Sequence, residues 1–166
     1  MLIGAFDLAL MIAVLLCSLV AGLLFAFAVV VMPGIAKLTD KEYLLAFKHM
    51  DGIIQDNHPL FLLVWVGSIF SVIGALVLGT LDLDGAQRSF LWVGAMLYLL
   101  GVQLPTIRFN IPLNNMLQAL DLSKADESEA SSVRSAFEPP WNRWNQFRTL
   151  NAVVSVSVLL FLLFQQ

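Results

Sequence analysis

The sequence predicts an all-α protein: a four-helix transmembrane bundle, with an amphipathic cytoplasmic helix between spans one and two and a kinked or broken helix after span three. Three observations predict it. Hydrophobic residues make up 59% of the 166 and charged residues 13%, where soluble domains carry roughly 25% charged residues. Four apolar runs stand out, each near the ~20 residues that cross a ~30 Å hydrocarbon core. The polar residues left over gather at one end of those runs. The length fits a single integral-membrane domain, residues 1–166, with spans at about 8–32, 60–81, 90–107 and 145–164.

The first run, from Leu8 to Met32, is stopped by Pro33-Gly34. It is far longer than the h-region of a signal peptide and lacks a basic n-region, so it is expected to be a retained span. Thr39 or Asp40 then caps a helix through about Asn57. Its Tyr43, Leu44, Phe47, Met50, Ile53 and Ile54 recur at three- and four-residue spacing. Such a stripe lies on the membrane or under the bundle. Pro59 opens the second span, and the short Asp82–Arg88 turn leads to the third. Pro105 and Pro112 each remove a backbone donor, so the third span kinks there or restarts with Asn110 as a cap. Residues Ser123–Ser135 read as a mobile loop or short exposed helix, and Glu138-Pro139-Pro140 as the entry to the last helix. Small residues within the spans, Gly67, Gly94 and Gly101 among them, permit close helix approach.

Lys37, Lys41, Lys48, Arg108, Lys124, Arg134, Arg143 and Arg148 lie on one side of the predicted spans, against Arg88 alone on the other. The positive-inside rule makes both long connections cytoplasmic and puts both termini on the non-cytoplasmic side. A net charge of −3 without a basic patch gives no basis for nucleic-acid binding. Cys17, the single cysteine, sits in the first run as a small buried hydrophobe.

The stretch Trp141–Asn151, WNRWNQFRTLN, carries the strongest chemical signal. At about 100° per residue, Trp144, Asn145, Arg148, Asn151, Ala152 and Ser155 share a helical face. Lipid cannot satisfy such a face, so it needs a protein or ligand partner. His58, Gln103, Asn110 and Asn114 fall at the same membrane level. With Phe25, Phe27, Phe61, Trp65 and Phe109 they would surround an apolar pocket with a few aimed polar groups, suited to a flat, lipid-soluble aromatic ligand.

Each candidate has two readings. His58 either caps the second span or acts as a general base. Arg148 either snorkels, or pairs with Glu138 or Asp56, or stabilises a developing phenolate or enolate oxygen. Trp141 and Trp144 are interfacial anchors, or, for Trp144, a substrate contact. Asn110 and Asn114 are caps or substrate contacts. His49 and His58, nine apart with Asp51 and Asp56 nearby, do not form a recognised ligand spacing, and no metal site is expected.

Met32-Pro33-Gly34 after the first span, Asn110-x-Pro112-Leu113-Asn114 after the third, and Trp144-x-x-x-Arg148-Thr149 entering the fourth resemble the DUF1772, or anthrone oxygenase-like, family of small four-span membrane proteins. Fungal members are associated with oxidation of anthrones to anthraquinones. The resemblance implies fold and membrane location, and it implies an integral-membrane oxygenase acting on a phenolic or quinone-like aromatic. No cofactor is evident, since no G-x-G-x-x-G flavin or nicotinamide motif is present. An electron-rich anthrone carbanion can itself reduce oxygen. The protein then supplies His58 as base, an oxyanion clamp from Arg148, Asn145 and Asn114, and Asn110, Asn114, Trp144, Asn145 and Asn151 as substrate contacts. The alternative is a non-enzymatic membrane module that binds a lipid, a quinone or a partner protein. A small transporter would require an oligomer, and self-assembly stays open.

Overall fold

The computed structural model describes residues 4–166 as five helices joined by short turns. They are α1 (Ala5–Ile35), α2 (Asp40–Gln55), α3 (Pro59–Asp82), α4 (Gly85–Gln118) and α5 (Glu127–Leu163). All but α2 are long and apolar enough to cross a membrane, and no strand occurs among the described residues. Helix α1 packs against both α3 and α5, and α4 packs along α5. Leu10, Cys17, Val20, Val72, Leu91, Tyr98 and Leu159 fill the space between them. Leu15, Leu63, Phe70 and Leu81 face outward, as surface in contact with lipid acyl chains does.

At Pro33, Pro105, Pro112 and Pro139-Pro140, read as a stop, a break or a helix entry, no helix ends or begins. Helix α1 continues past Pro33 to Ile35, α4 runs through Pro105 and Pro112 to Gln118, and α5 starts at Glu127 and passes through Pro139-Pro140. A proline ring collides with the carbonyl four residues back. Ahead of Pro33, Pro105 and Pro112 the backbone relieves this with one π turn each, at Phe27–Val31, Leu99–Gln103 and Thr106–Asn110. In each case the residue just before the proline bonds five residues back: Met32 to Phe27, Leu104 to Leu99, Ile111 to Thr106. The wider turn absorbs the ring without ending the helix. Asn110 is therefore not a cap. It has ordinary helical dihedrals and makes no capping bond.

In α5 the tertiary packing overrides the two prolines. Asp126 caps the helix by accepting from the Glu129 amide at 2.8 Å. Phe137 and Trp141, on either side of Pro139-Pro140, are buried against Phe47 of α2. Of the two readings of Ser123–Ser135, a mobile loop or a short exposed helix, the structure shows helix from Glu127, and Arg134 clamps it. Its guanidinium donates to Asp40 at 2.9 Å, to Glu138 at 2.7 Å and to the Ala36 carbonyl at 3.1 Å, and lies over the Tyr43 ring.

Helix α2 begins with a capping box in which the Thr39 amide donates to the Glu42 carboxylate at 3.1 Å. Tyr43, Leu44 and Phe47 are buried beneath the bundle, while Ile53 is exposed. Burial raises the Tyr43 phenol pKa, the nearby Glu138 carboxylate adds to the rise, and Arg134 partly opposes it.

The seam between α4 and α5 depends on small residues. Ser155 Oγ donates to the Gly94 carbonyl at 2.7 Å. A Cβ on Gly101 would come within 2.8 Å of the Asn151 Cβ, so side chain and helix axis would both have to move. Gly101→Leu is expected to lower stability by about 1–3 kcal/mol, read as thermal unfolding in detergent. Gly22 has nothing within 4 Å of a built Cβ. Gly22→Ala should change stability by no more than ~0.5 kcal/mol.

Candidate functional site

A cavity of about 180 Å³ lies where all five helices meet, at the level of the π turns in α1 and α4. Its wall is mainly apolar and aromatic: Leu23, Leu24 and Phe27 from α1, Phe47 from α2, Phe61 and Trp65 from α3, Ile111 from α4 and Trp141 from α5. Phe61 and Trp65 stack on each other at 5.4 Å. Six polar side chains share this lining: Asp51, Thr106, Asn110, Asn114, Asn145 and Arg148.

Arg148 is the centre of the polar group. It is 4% exposed, so it does not snorkel. Its Nη1 donates to Thr106 Oγ1 at 2.9 Å and its Nη2 to Asn145 Oδ1 at 3.0 Å. Its Nε has no partner among the described residues. No carboxylate pairs with it, because Glu138 is taken by Arg134 and the ion pairs among the described residues lie elsewhere. The guanidinium carbon sits 5.9 Å from the centre of the Trp141 ring.

The neighbouring polar groups are held in fixed orientations. Asn145, 1% exposed, donates to the Leu24 carbonyl at 3.2 Å, which turns its oxygen toward Arg148. Thr106 donates its hydroxyl hydrogen to the Val102 carbonyl at 2.7 Å and so presents a lone pair to the guanidinium. Asn110 donates to the Trp141 carbonyl at 3.3 Å, leaving its buried Oδ1 unpartnered. Trp141 Nε1 donates to Asn114 Oδ1 at 2.8 Å, and Asn114 Nδ2 donates to Asp51 Oδ1 at 2.7 Å.

The structure thus brings Asn110, Asn114, Asn145 and Arg148 to one cavity and leaves His58, Gln103, Trp144, Asn151, Phe25 and Phe109 outside its lining. His58 is exposed at the start of α3, where it precedes Pro59 and makes no side-chain cap bond. Trp144 is stacked on Phe109 at 3.7 Å, on the outer side of the helix. Asn151 is half-buried in the α4–α5 seam and donates to the Phe147 carbonyl at 2.8 Å. Phe25 is 52% exposed and faces away from the cavity lining.

Trp141, Asp51 and Thr106 are among the cavity residues not placed there from sequence. The α5 tryptophan at the cavity is Trp141, not Trp144: the buried face runs Trp141, Asn145, Arg148, Ala152, Ser155, at four- and three-residue steps. Asp51 follows Leu44 and Phe47 by seven and four residues, and a carboxylate in step with that apolar stripe was its available signal.

The fold and cavity define a multi-pass membrane protein with an internal, mostly apolar chamber that carries a cation unpaired among the described residues. The anthrone oxygenase family matches residues 59–158, and the chain belongs to that family. The match covers α3, α4 and most of α5, including every cavity residue those helices supply. No curated protein and no solved structure matches the chain.

Proposed function

We propose that this chain is a membrane oxygenase that oxidises a phenolic, anthrone-type aromatic to a quinone inside the cavity. One observation carries the reading: Arg148 is buried beside an apolar chamber without a countercharge. An interior intramembrane arginine is costly unless it is used. A guanidinium fixed by Thr106 and Asn145 suits a carbonyl oxygen that gains negative charge as a substrate is deprotonated. The flanking aromatic wall of Phe27, Phe47, Phe61, Trp65 and Trp141 suits a flat, lipid-soluble ring system.

The overall reaction balances with dioxygen as oxidant. The CH2 group of the anthrone and O2 give a C=O group and water. A ring-benzylic proton passes to a solvent base, and the oxygen of the electron-rich enolate so formed is stabilised by Arg148, which Thr106 and Asn145 hold in place. Asn110 and Asn114 orient the ring substituents. His58 lies away from the cavity lining, so His58→Ala is expected to change turnover by less than about twofold, measured as quinone appearance in membranes. The excess of Lys and Arg at the cavity end of the spans supports a cytoplasmic location for that end, with both termini opposite, in a single integral-membrane domain.

The test is incubation of membranes containing the protein with an anthrone, following quinone absorbance and oxygen uptake. Turnover above control membranes that is lost in Arg148→Met supports the reading. Absence of turnover in protein that still binds an aromatic ketone would favour a non-enzymatic binding module.

A further inference from the structure

Asp51 is a second buried charge at the same cavity, and nothing in the proposed chemistry uses it. It is 4% exposed and lies among Asn114, Gln118 and Gln55. Their amide nitrogens donate to it at 2.7, 2.8 and 3.3 Å. All three donors are neutral, and no cation pairs with it among the described residues. A carboxylate has about four lone-pair sites, so three donors leave one site free. Gln118 and Asn114 are themselves tied down, Gln118 to the Lys48 carbonyl at 2.9 Å and Asn114 to Trp141 at 2.8 Å.

The chamber therefore holds a carboxylate and a guanidinium that do not pair with each other. Opposite charges in a low-dielectric interior ordinarily close into an ion pair, because each alone carries a desolvation penalty. Here both are fixed to neutral groups instead, and Trp141 touches both settings. Its ring lies 5.9 Å from the Arg148 guanidinium, and its Nε1 reaches the Asn114 amide that holds Asp51. Two fixed poles on one aromatic wall match a ligand with complementary groups at two points of a flat frame.

From these contacts we propose that Asp51 accepts a hydrogen bond from a hydroxyl on the aromatic ligand while Arg148 holds its ketone oxygen. Asp51 is then the residue that selects the phenolic ring system proposed above over the same frame without a hydroxyl. This rests on the proposed occupancy of the cavity by an aromatic ketone, but it concerns binding and not turnover.

The experiment measures quenching of intrinsic tryptophan fluorescence in the purified full chain. The probes are 2,6-dihydroxyanthraquinone, whose hydroxyls lie away from the ketones and are free to donate, its dimethyl ether and unsubstituted anthraquinone. The dihydroxy compound is expected to bind about tenfold or more tighter than the dimethyl ether, the fold-change of one hydrogen bond to a charged group. In Asp51→Asn that preference should shrink to about twofold or less, with binding of the dimethyl ether retained as evidence of an intact cavity. Equal binding of the two compounds by the unaltered protein overturns the proposal without any variant, as does a full preference in Asp51→Asn. Turnover of an anthrone with no hydroxyl preference would remove this inference and leave the oxygenase reading standing. A hydroxyl preference without turnover would do the reverse.

Discussion

Membranes containing Arg148→Met are expected to convert an anthrone about 100-fold more slowly than the unaltered protein, or slower still. That is the effect of removing one positioned donor from a developing oxyanion. The protein itself should remain folded. A buried ion without a countercharge carries a desolvation cost, and an apolar side chain of similar volume is often neutral or stabilising in its place. Thr106 keeps its bond to the Val102 carbonyl, and Asn145 keeps its bond to the Leu24 carbonyl. Asn145 Oδ1 loses its donor, a penalty of about 1–3 kcal/mol that opposes the gain. Arg148→Lys retains a charge but not the fork that reaches Thr106 and Asn145 together, so it should recover only part of the rate. The decisive combination is rate against melting temperature. A large rate loss at nearly unchanged melting temperature supports a role at the substrate. Parallel losses in both would make Arg148 a packing element and remove the basis of the oxygenase reading.

The four spans were legible because apolar length is a direct physical demand of the bilayer. The side chains of Asn110, Asn114, Asn145 and Arg148 were legible as a group because they fall at one level of those spans. The helix ends were not. Pro33, Pro105 and Pro112 carry the ordinary signal of a stop, and only the π turns ahead of them show how the helix continues. Such a turn has no composition of its own to read. Pro139-Pro140 misled for a different reason: the burial of Phe137 and Trp141 on α2 decides that segment, and no local rule contains it. The choice of Trp144 over Trp141 was an error of helical phase. Both lie within about one turn of Asn145, and contact with Phe47 selects Trp141. Trp144 finds Phe109 instead. His58 shares the membrane level of the cavity but sits on the exposed start of α3, a distinction of azimuth that one sequence does not encode.

Trp141→Ala is expected to give the largest stability loss of any single substitution in the cavity wall, about 3–5 kcal/mol. The side chain is 4% exposed and its ring packs near Phe27, Phe47 and Phe137 at centroid distances of 5.8, 5.1 and 6.4 Å. Truncation would open a void between α1, α2 and α5 and leave Asn114 Oδ1 without its indole donor. Asn114 is also the 2.7 Å donor to Asp51, so its reorientation would loosen the carboxylate as well. Trp141→Phe separates the two contributions: the aromatic packing survives and the hydrogen bond is lost, for about 0.5–1.5 kcal/mol. In a chain of this size the alanine variant should melt on the order of 10 °C lower and the phenylalanine variant only a few degrees lower. Equal shifts would mean that the indole N–H, and not the ring, ties α5 to α4 and α2. No shift in either would mean that Trp141 is not the post on which the cavity end of the bundle is assembled.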